Sequence, residues 1–293
     1  MQPAPTTVKD NEEPFEPCPT PLAWQDVVNK CAEDSSRFEV SVGGETVTGW
    51  TIGTGDPLYF VNGLLGSSQL YSLTAWLMRE NFQCVLFDLP GSFAPGTNGE
   101  NYGRGLAAIA EQLGHSRYSL FTTGAGCVAA FDRLFSKPES IERVVLQGGF
   151  AKCRLSFAER VVASIGSFCP GRVRSIPGAL NILRQNHRPW FPPYDHSRWA
   201  FAETLLGDSS MKGLARRAKL IPSFDIRPRL SELHTPTLLV RCEGDSPIQV
   251  EAQDLLEKSI PGVAVEWLHT CGRLPFLTHP HRLKKILNNF LGS

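Results

Sequence analysis

The chain reads as an α/β protein: a three-layer α/β/α sandwich on a mainly parallel sheet, with an inserted helical lid. Three observations predict it. Short apolar runs rich in Val, Leu and Phe recur as PLYFVNG, FQCVLFDLPG, YSLFTTGAG, ERVVLQGGF, TPTLLVRCEGD and VAVEWLHTCG. They lack clean alternation, as strands buried on both faces do. Longer helix-patterned segments separate them, and that alternation implies right-handed crossovers to a parallel sheet covered on both sides. The chain has 293 residues, enough to bury a large core in one α/β domain.

The elements follow in order. Residues 1 to about 21, MQPAPTTVKDNEEPFEPCPTP, are broken by prolines whose fixed φ and missing donors oppose a helix or an interior strand, so they read as a flexible lead. A short helix over PLAWQDVVNKCAED follows. From Phe38 the period changes to two in FEVSVGGETVTGWTIG, with Gly43 and Gly44 at a tight turn, the pattern of a β-hairpin. Helical segments then fall at SLTAWLMREN, GRGLAAIAEQLG, AGCVAAFDRLFSK, QVEAQDLLEKS and HRLKKILNNFL. Residues 151 to about 222 break the alternation with helix-like pieces and the cluster HRPWFPPYDHSRW, and hold no convincing strand. The expected division is a lead and short helix over 1–36, a first part of the core over 37–150, a helical lid over 151–222 and a second part of the core over 223–293.

Composition excludes several classes of function. Apolar residues make up 42% and charged residues 20% of the chain, an ordinary globular balance. The formal net charge is zero, so no global field draws the protein to nucleic acid or to a membrane surface. The start lacks the basic and apolar regions of a secretory signal, and no run reaches the roughly 18 apolar residues of a membrane span. No two of the eight cysteines form a CxxC pair and several lie in apolar runs, which fits reduced thiols in the cytoplasm. Neither GxGxxG nor GxxxxGK[ST] occurs and no metal spacing is present, so neither cofactor nor metal is expected. The lid is lopsided: twelve Lys and Arg stand against Glu159, Asp195, Glu203 and Asp208. Solvated helix faces explain most such charge; a surface receiving an anion is the alternative.

Four local patterns occur in chain order at strand ends. They are FVNGLLGSS, VLFDLPGSFAP, SLFTTGAGCVAAF, and the pair TPTLLVRCEGDSPI with VEWLHTCGRLPFLTHPHRLKKILNNFL. As an ordered set covering residues 38 to 291, they resemble the α/β-hydrolase superfamily of the single-domain esterase and lyase type.

The resemblance assigns roles residue by residue. FVNGLLGSS is similar to the strand and HGxxGS turn of the family, with Asn62 where histidine is usual. The amides of Leu64 or Leu65, with that of Ala125, would supply the oxyanion donors. FDLPG supports the fold and carries no chemistry. SLFTTGAGCVAAF occupies the nucleophile elbow, where Gly126 and Ala129 satisfy the demand for small residues and Gly124 stands in the nucleophile place. Glycine adopts the elbow's positive φ without a Cβ penalty, so the change relaxes the fold where it removes the attacking group. Cys127 and Thr123 are the neighbouring alternatives, although Cys127 is expected to pack against the sheet. Asp245 falls at the acid position. Arg273 follows Gly272 where histidine belongs, and a guanidinium cannot act as a general base near neutral pH. His269 fits the base position only by breaking the match of Gly272, Pro275 and Pro280, and His279, next to Pro280, lies too far beyond the turn.

An ion pair between Arg273 and Asp245 would compensate the carboxylate. The missing nucleophile and base resemble non-catalytic relatives such as the N-Myc downstream-regulated family, whose elbow also reads G-A-G. Neither the lid nor the N-terminal region extends that likeness. Two functions are therefore expected to compete. One is a pseudo-hydrolase that binds a small-molecule ligand or a protein partner, with Asn62, Trp190, Phe191 and Trp199 lining a pocket. The other is an enzyme with a non-standard nucleophile or base on the same oxyanion hole.

Overall fold

Side-chain alternation decides how the sheet is covered. On strand β3 (Asp56–Val61), Leu58 and Phe60 join one apolar cluster while Tyr59 and Val61 join another on the opposite face. Both faces are apolar, so both require a helical layer. The structure is a computed structural model that describes residues 23–42, 45–88, 100–153, 164, 166–168 and 170–292. The predicted lead, the Gly43–Gly44 turn and residues 89–95 of the FDLPG segment lie outside the described residues.

The eight-stranded sheet runs β1-β2-β4-β3-β5-β6-β7-β8. Its strands are β1 (Ser36–Val42), β2 (Glu45–Ile52), β3, β4 (Phe82–Phe87), β5 (Tyr118–Thr123), β6 (Ile141–Gln147), β7 (Thr237–Cys242) and β8 (Ala264–Leu268). β1 and β2 pair antiparallel from Ser36↔Thr51 to Val42↔Glu45, β2 pairs antiparallel with β4, and every later pairing is parallel. The predicted hairpin and buried runs thus become an antiparallel edge on a parallel sheet.

Helices α1 (Trp24–Asp34) and α2 (Ser72–Met78) cover the Phe60 face together with the C-terminal helix Pro280–Leu291. In that last helix Leu283, Leu287 and Leu291 recur every four residues and are all buried, each contributing about 2 kcal/mol through apolar surface removed from water. Helices α3 (Glu100–Gln112) and α4 (Cys127–Ser136) cover the Tyr59 face through residues such as Leu106, Ile109, Phe131 and Leu134.

Helices α5 (Ala179–His187), α6 (His196–Gly207) and α7 (Met211–Leu220) lie between β6 and β7. They dock on the Phe60 side through Leu183, Trp199, Ala202, Leu206 and Met211. Part of this segment's positive charge is paired within it, Arg172 and Arg174 with Asp208, Arg184 with Glu203, and Arg198 with Asp195. The second half of the core adds α8 (Pro247–Ser259), α9 (Pro275–Thr278) and α10 (Pro280–Leu291). Among the described residues, no helix is long and apolar enough to cross a membrane.

Candidate functional site

The site lies where β3, β5, β7 and β8 end. β5 stops at Thr123 and passes through one 3-10 turn, Gly124–Gly126, into α4. The two glycines of that turn do different work. A Cβ on Gly126 would fall 2.5 Å from the Val61 carbonyl oxygen and 2.8 Å from that of Asn62, so helix and strand backbones meet there. Gly124 has φ +48, and a Cβ on it would meet nothing within 4 Å. Backbone conformation favours glycine at this position, and space does not demand it.

Cys127 begins α4 but turns away from that space. Its thiol is buried against the Phe150 carbonyl and amide, at 3.5 Å from each, and burial pushes it up to about 12. A thiol so rarely ionised is a poor nucleophile.

The loop after β3 is tied to the elbow by a hydrogen-bond chain. Asn62 Oδ1 accepts from the Gly63 amide at 2.8 Å and from the Tyr71 hydroxyl at 3.1 Å. Tyr71 Oη also lies 2.6 Å from Thr123 Oγ1. Tyr71 has one proton to give, so when it serves Asn62 the Thr123 hydroxyl donates to Tyr71. This arrangement engages Thr123 in holding the loop. Burial raises the Tyr71 phenol, keeping it protonated as a donor. Asn62 Nδ2 is buried without a partner. Among the described residues the Leu64 and Leu65 amides meet no acceptor, while the next amide, Gly66, donates to Ser209 Oγ at 2.7 Å. Arg217 of α7 reaches the Gly63 carbonyl at 3.3 Å.

Asp245 is held by the start of α8. Ser246 caps that helix with a reciprocal Gln249 bond and Pro247 opens it, which fixes the chain immediately after the carboxylate. Asp245 Oδ2 accepts from the Cys242 amide at 3.0 Å and from Gln253 Nε2 at 2.9 Å. Its Oδ1 is buried with no partner.

The expected Arg273–Asp245 ion pair does not form. Arg273 Nε instead donates to the Gly244 carbonyl at 3.4 Å. Its charge acts on His187, at the end of α5, whose imidazole is brought down to about 4 by burial first and by Arg273 second. The carboxylate has turned inward to an amide and a glutamine, and the guanidinium has turned toward a carbonyl and a helix end. Both groups therefore find polar partners without meeting each other.

Trp190 closes this corner. A Cβ on Gly244 would fall 2.5 Å from its Cε2 and 2.7 Å from its Cζ2, and one on Gly272 would overlap its Cγ. The indole thus rests on the backbone after β7 and after β8 at once. Phe191 and Trp199 are buried in an edge-to-face pair, 5.3 Å between centroids, and are spent on packing the helical segment. His269 is exposed and stacked on Trp267, and His279 bonds Thr278 Oγ1 at 2.9 Å; neither bonds Asp245. Tyr71, His187 and Gln253 are site residues that no motif marks, because each reaches the site from a different element across the fold. Among the described residues no cluster of His, Cys, Asp or Glu is arranged to hold a metal ion.

Strand order, the sharp turn after β5 and the Asp245 loop after β7 together specify one architecture, and comparison with solved structures decides it. A hydrolase from Pseudomonas aeruginosa PA01 superposes with a TM-score of 0.76 at 18% identity, covering 89% of this chain and all (100%) of that one. The chain has the α/β-hydrolase fold. A thermophilic esterase from Thermogutta terrifontis gives a TM-score of 0.73 at 18% identity, covering 88% of this chain and 98% of the esterase. In sequence, this hydrolase-fold chain is 25% identical over 281 residues to a 2-hydroxy-6-oxononadienedioate/2-hydroxy-6-oxononatrienedioate hydrolase of Klebsiella pneumoniae, spanning 88% of this chain and 96% of that relative. No family model matches the chain.

Proposed function

We propose that this hydrolase-fold protein works by binding a small molecule, under the helices between β6 and β7, and performs no triad chemistry. The observation that carries the reading is the empty space above Gly124, where a nucleophile's side chain would stand. The rest of the corner agrees with it. Asp245 Oδ1 has no partner, Arg273 is spent on a carbonyl, and Cys127 faces the sheet with a raised thiol. What survives is a floor of unpaired polar groups, Asn62 Nδ2 and the Leu64 and Leu65 amides, suited to an acceptor-bearing ligand. A protein partner gripping the same helical cover is the other form of this reading.

The opposed reading is a hydrolase or lyase with a non-standard nucleophile or base. It is favoured by the same unpaired amides, which would hold an oxyanion, and by the name of the Klebsiella relative. One experiment separates them. Purified protein is expected to hydrolyse p-nitrophenyl butyrate no faster than heat-denatured protein and to take no label from a fluorophosphonate probe. Small carboxylates and esters screened in the same buffer are expected to include some that raise its melting temperature, an effect lost in Gly124→Phe. Robust turnover by the wild-type chain would sink the binding reading.

A further inference from the structure

A cleft of about 490 Å³ opens where β5 and β6 begin, at the strand ends remote from Gly124. Its walls are the last turns of α3 and α4, the residues that lead from α3 into β5, and Ser140, which precedes β6.

Two donors in its lining are buried without a partner. Tyr118 opens β5 and is 1% exposed, yet its hydroxyl meets nothing. A buried tyrosine ordinarily hydrogen-bonds that group. Arg133 has the same deficit: its Nη2 donates to Ser140 Oγ at 3.2 Å, while its Nε is buried and unpartnered. A third donor follows from Tyr59, whose ring lies 4.7 Å from that of Tyr118 and whose Oη lies 2.7 Å from His115 Nδ1. Burial keeps the phenol protonated and the imidazole neutral. Among the described residues Tyr59 Oη meets no other acceptor, so it donates to Nδ1 and the imidazole proton sits on Nε2.

The charge of the lining is lopsided. Arg133 and Lys137 form no ion pair among the described residues, and Glu111, the acid of the same lining, lies exposed on α3. Cations that close a helix often serve only its carbonyl end. That role accounts for the position of Arg133 and Lys137 at the end of α4, but it leaves Tyr118 Oη and Arg133 Nε unexplained.

We propose that this cleft binds a small molecule through a phosphate group, with Tyr118, His115 Nε2, Arg133 and Lys137 as its donors. A phosphate monoester brings close to two negative charges and three acceptor oxygens, so it can engage both cations and the two neutral donors together. The remaining volume accommodates the rest of a metabolite-sized molecule. This site is separate from the ligand floor near Asn62, because β5 runs its full length between Tyr118 and Thr123.

The test is calorimetric titration of the full chain with inorganic phosphate and with glycerol 3-phosphate, alongside melting in phosphate and in sodium chloride of matched ionic strength. Both phosphates are expected to bind and to raise the melting temperature above that in chloride. Lys137→Gln, an exposed substitution, should weaken binding about tenfold, as loss of a charge-assisted hydrogen bond does. Tyr118→Phe keeps the ring in the core and should weaken it about fivefold. Gly124→Phe should bind phosphate as the wild type does, which separates this cleft from the elbow. Equal melting in phosphate and chloride overturns the proposal. So does undiminished binding by Lys137→Gln and Tyr118→Phe, or loss of phosphate binding in a folded Gly124→Phe.

Discussion

Trp190 lies on Gly272 with no room for a Cβ between them, so a residue from the helical segment is fitted to the loop in which Arg273 stands. The same indole meets Gly244. Two glycines from different loops therefore form one flat seat. Substituting Gly272→Ala is expected to expel the indole and cost about 2 kcal/mol, the usual penalty for overpacking a fitted contact. Trp190→Ala should itself destabilise by removing the packed ring. Combined with Gly272→Ala, it should cost clearly less than the two separate effects added, because the clash disappears with the ring. Urea denaturation of the wild type, both single variants and the double variant measures this coupling; strictly additive losses would show that Trp190 is not seated on Gly272.

Much of this arrangement could be read in the chain, and part could not. The buried runs gave the strands because Val, Leu and Phe on both faces, as in Leu58 and Phe60 against Tyr59 and Val61, leave no other home for them. Gly124 and Gly126 stood out because an elbow restricts its residues by backbone geometry, which is local. The motifs drew attention to Arg273 and Asp245, yet their lack of pairing was not legible. Whether two charges meet depends on competing partners, here Gln253, the Cys242 amide and the Gly244 carbonyl, and these come from elements distant in sequence. His187 was invisible for the same reason: its imidazole is lowered first by burial and then by Arg273, a residue distant in sequence.

The elbow glycines predict opposite sensitivities. Gly126→Ala would drive a Cβ into the Val61 and Asn62 carbonyl oxygens, which are backbone and cannot swing aside. A loss of about 2–4 kcal/mol is expected, at the upper end of overpacking. Gly124→Ala enters open space and pays only for its positive φ, about 1 kcal/mol. Guanidinium melts of the two variants check the order. Equal losses would mean that the space above Gly124 is filled.

Installing the groups that the resemblance expects tests the proposed reading of the site. Gly124→Ser places a hydroxyl on the elbow, and Arg273→His places an imidazole one residue after Gly272, on the loop that meets the Gly244 carbonyl. The double variant is expected to acquire fluorophosphonate labelling and weak turnover of p-nitrophenyl butyrate, since nucleophile and base act as one unit. Either single variant should remain inert. Adding Trp190→Ala should raise the turnover if the indole restricts how the imidazole turns toward the acid. A folded double variant with no labelling would show that the backbone amides of Leu64, Leu65 and Ala125 are not arranged around that serine.

His187 makes stability depend on pH in a defined direction. Its folded imidazole titrates at about 4, lowered by burial and then by Arg273, while an unfolded histidine titrates near 6.5. Folding thus favours the neutral ring, and the unfolded chain binds more protons throughout the window between those values. The contribution is complete above about 6.5 and is lost as pH falls toward 4, amounting to roughly 2–3 kcal/mol for a ring still partly in contact with solvent. His115 and His279 are also lowered by burial and add the same sign, so the informative quantity is a difference between proteins. The melting temperature of the wild type should fall more steeply from pH 6.5 to 4.5 than that of His187→Gln, which has no proton to gain. Arg273→Gln should move the steep region upward in pH, because removing the neighbouring cation eases protonation of the ring. If the wild-type and His187→Gln curves run parallel, the imidazole is not held neutral by the fold, and the contact between α5 and the Arg273 loop is looser than the buried ring implies.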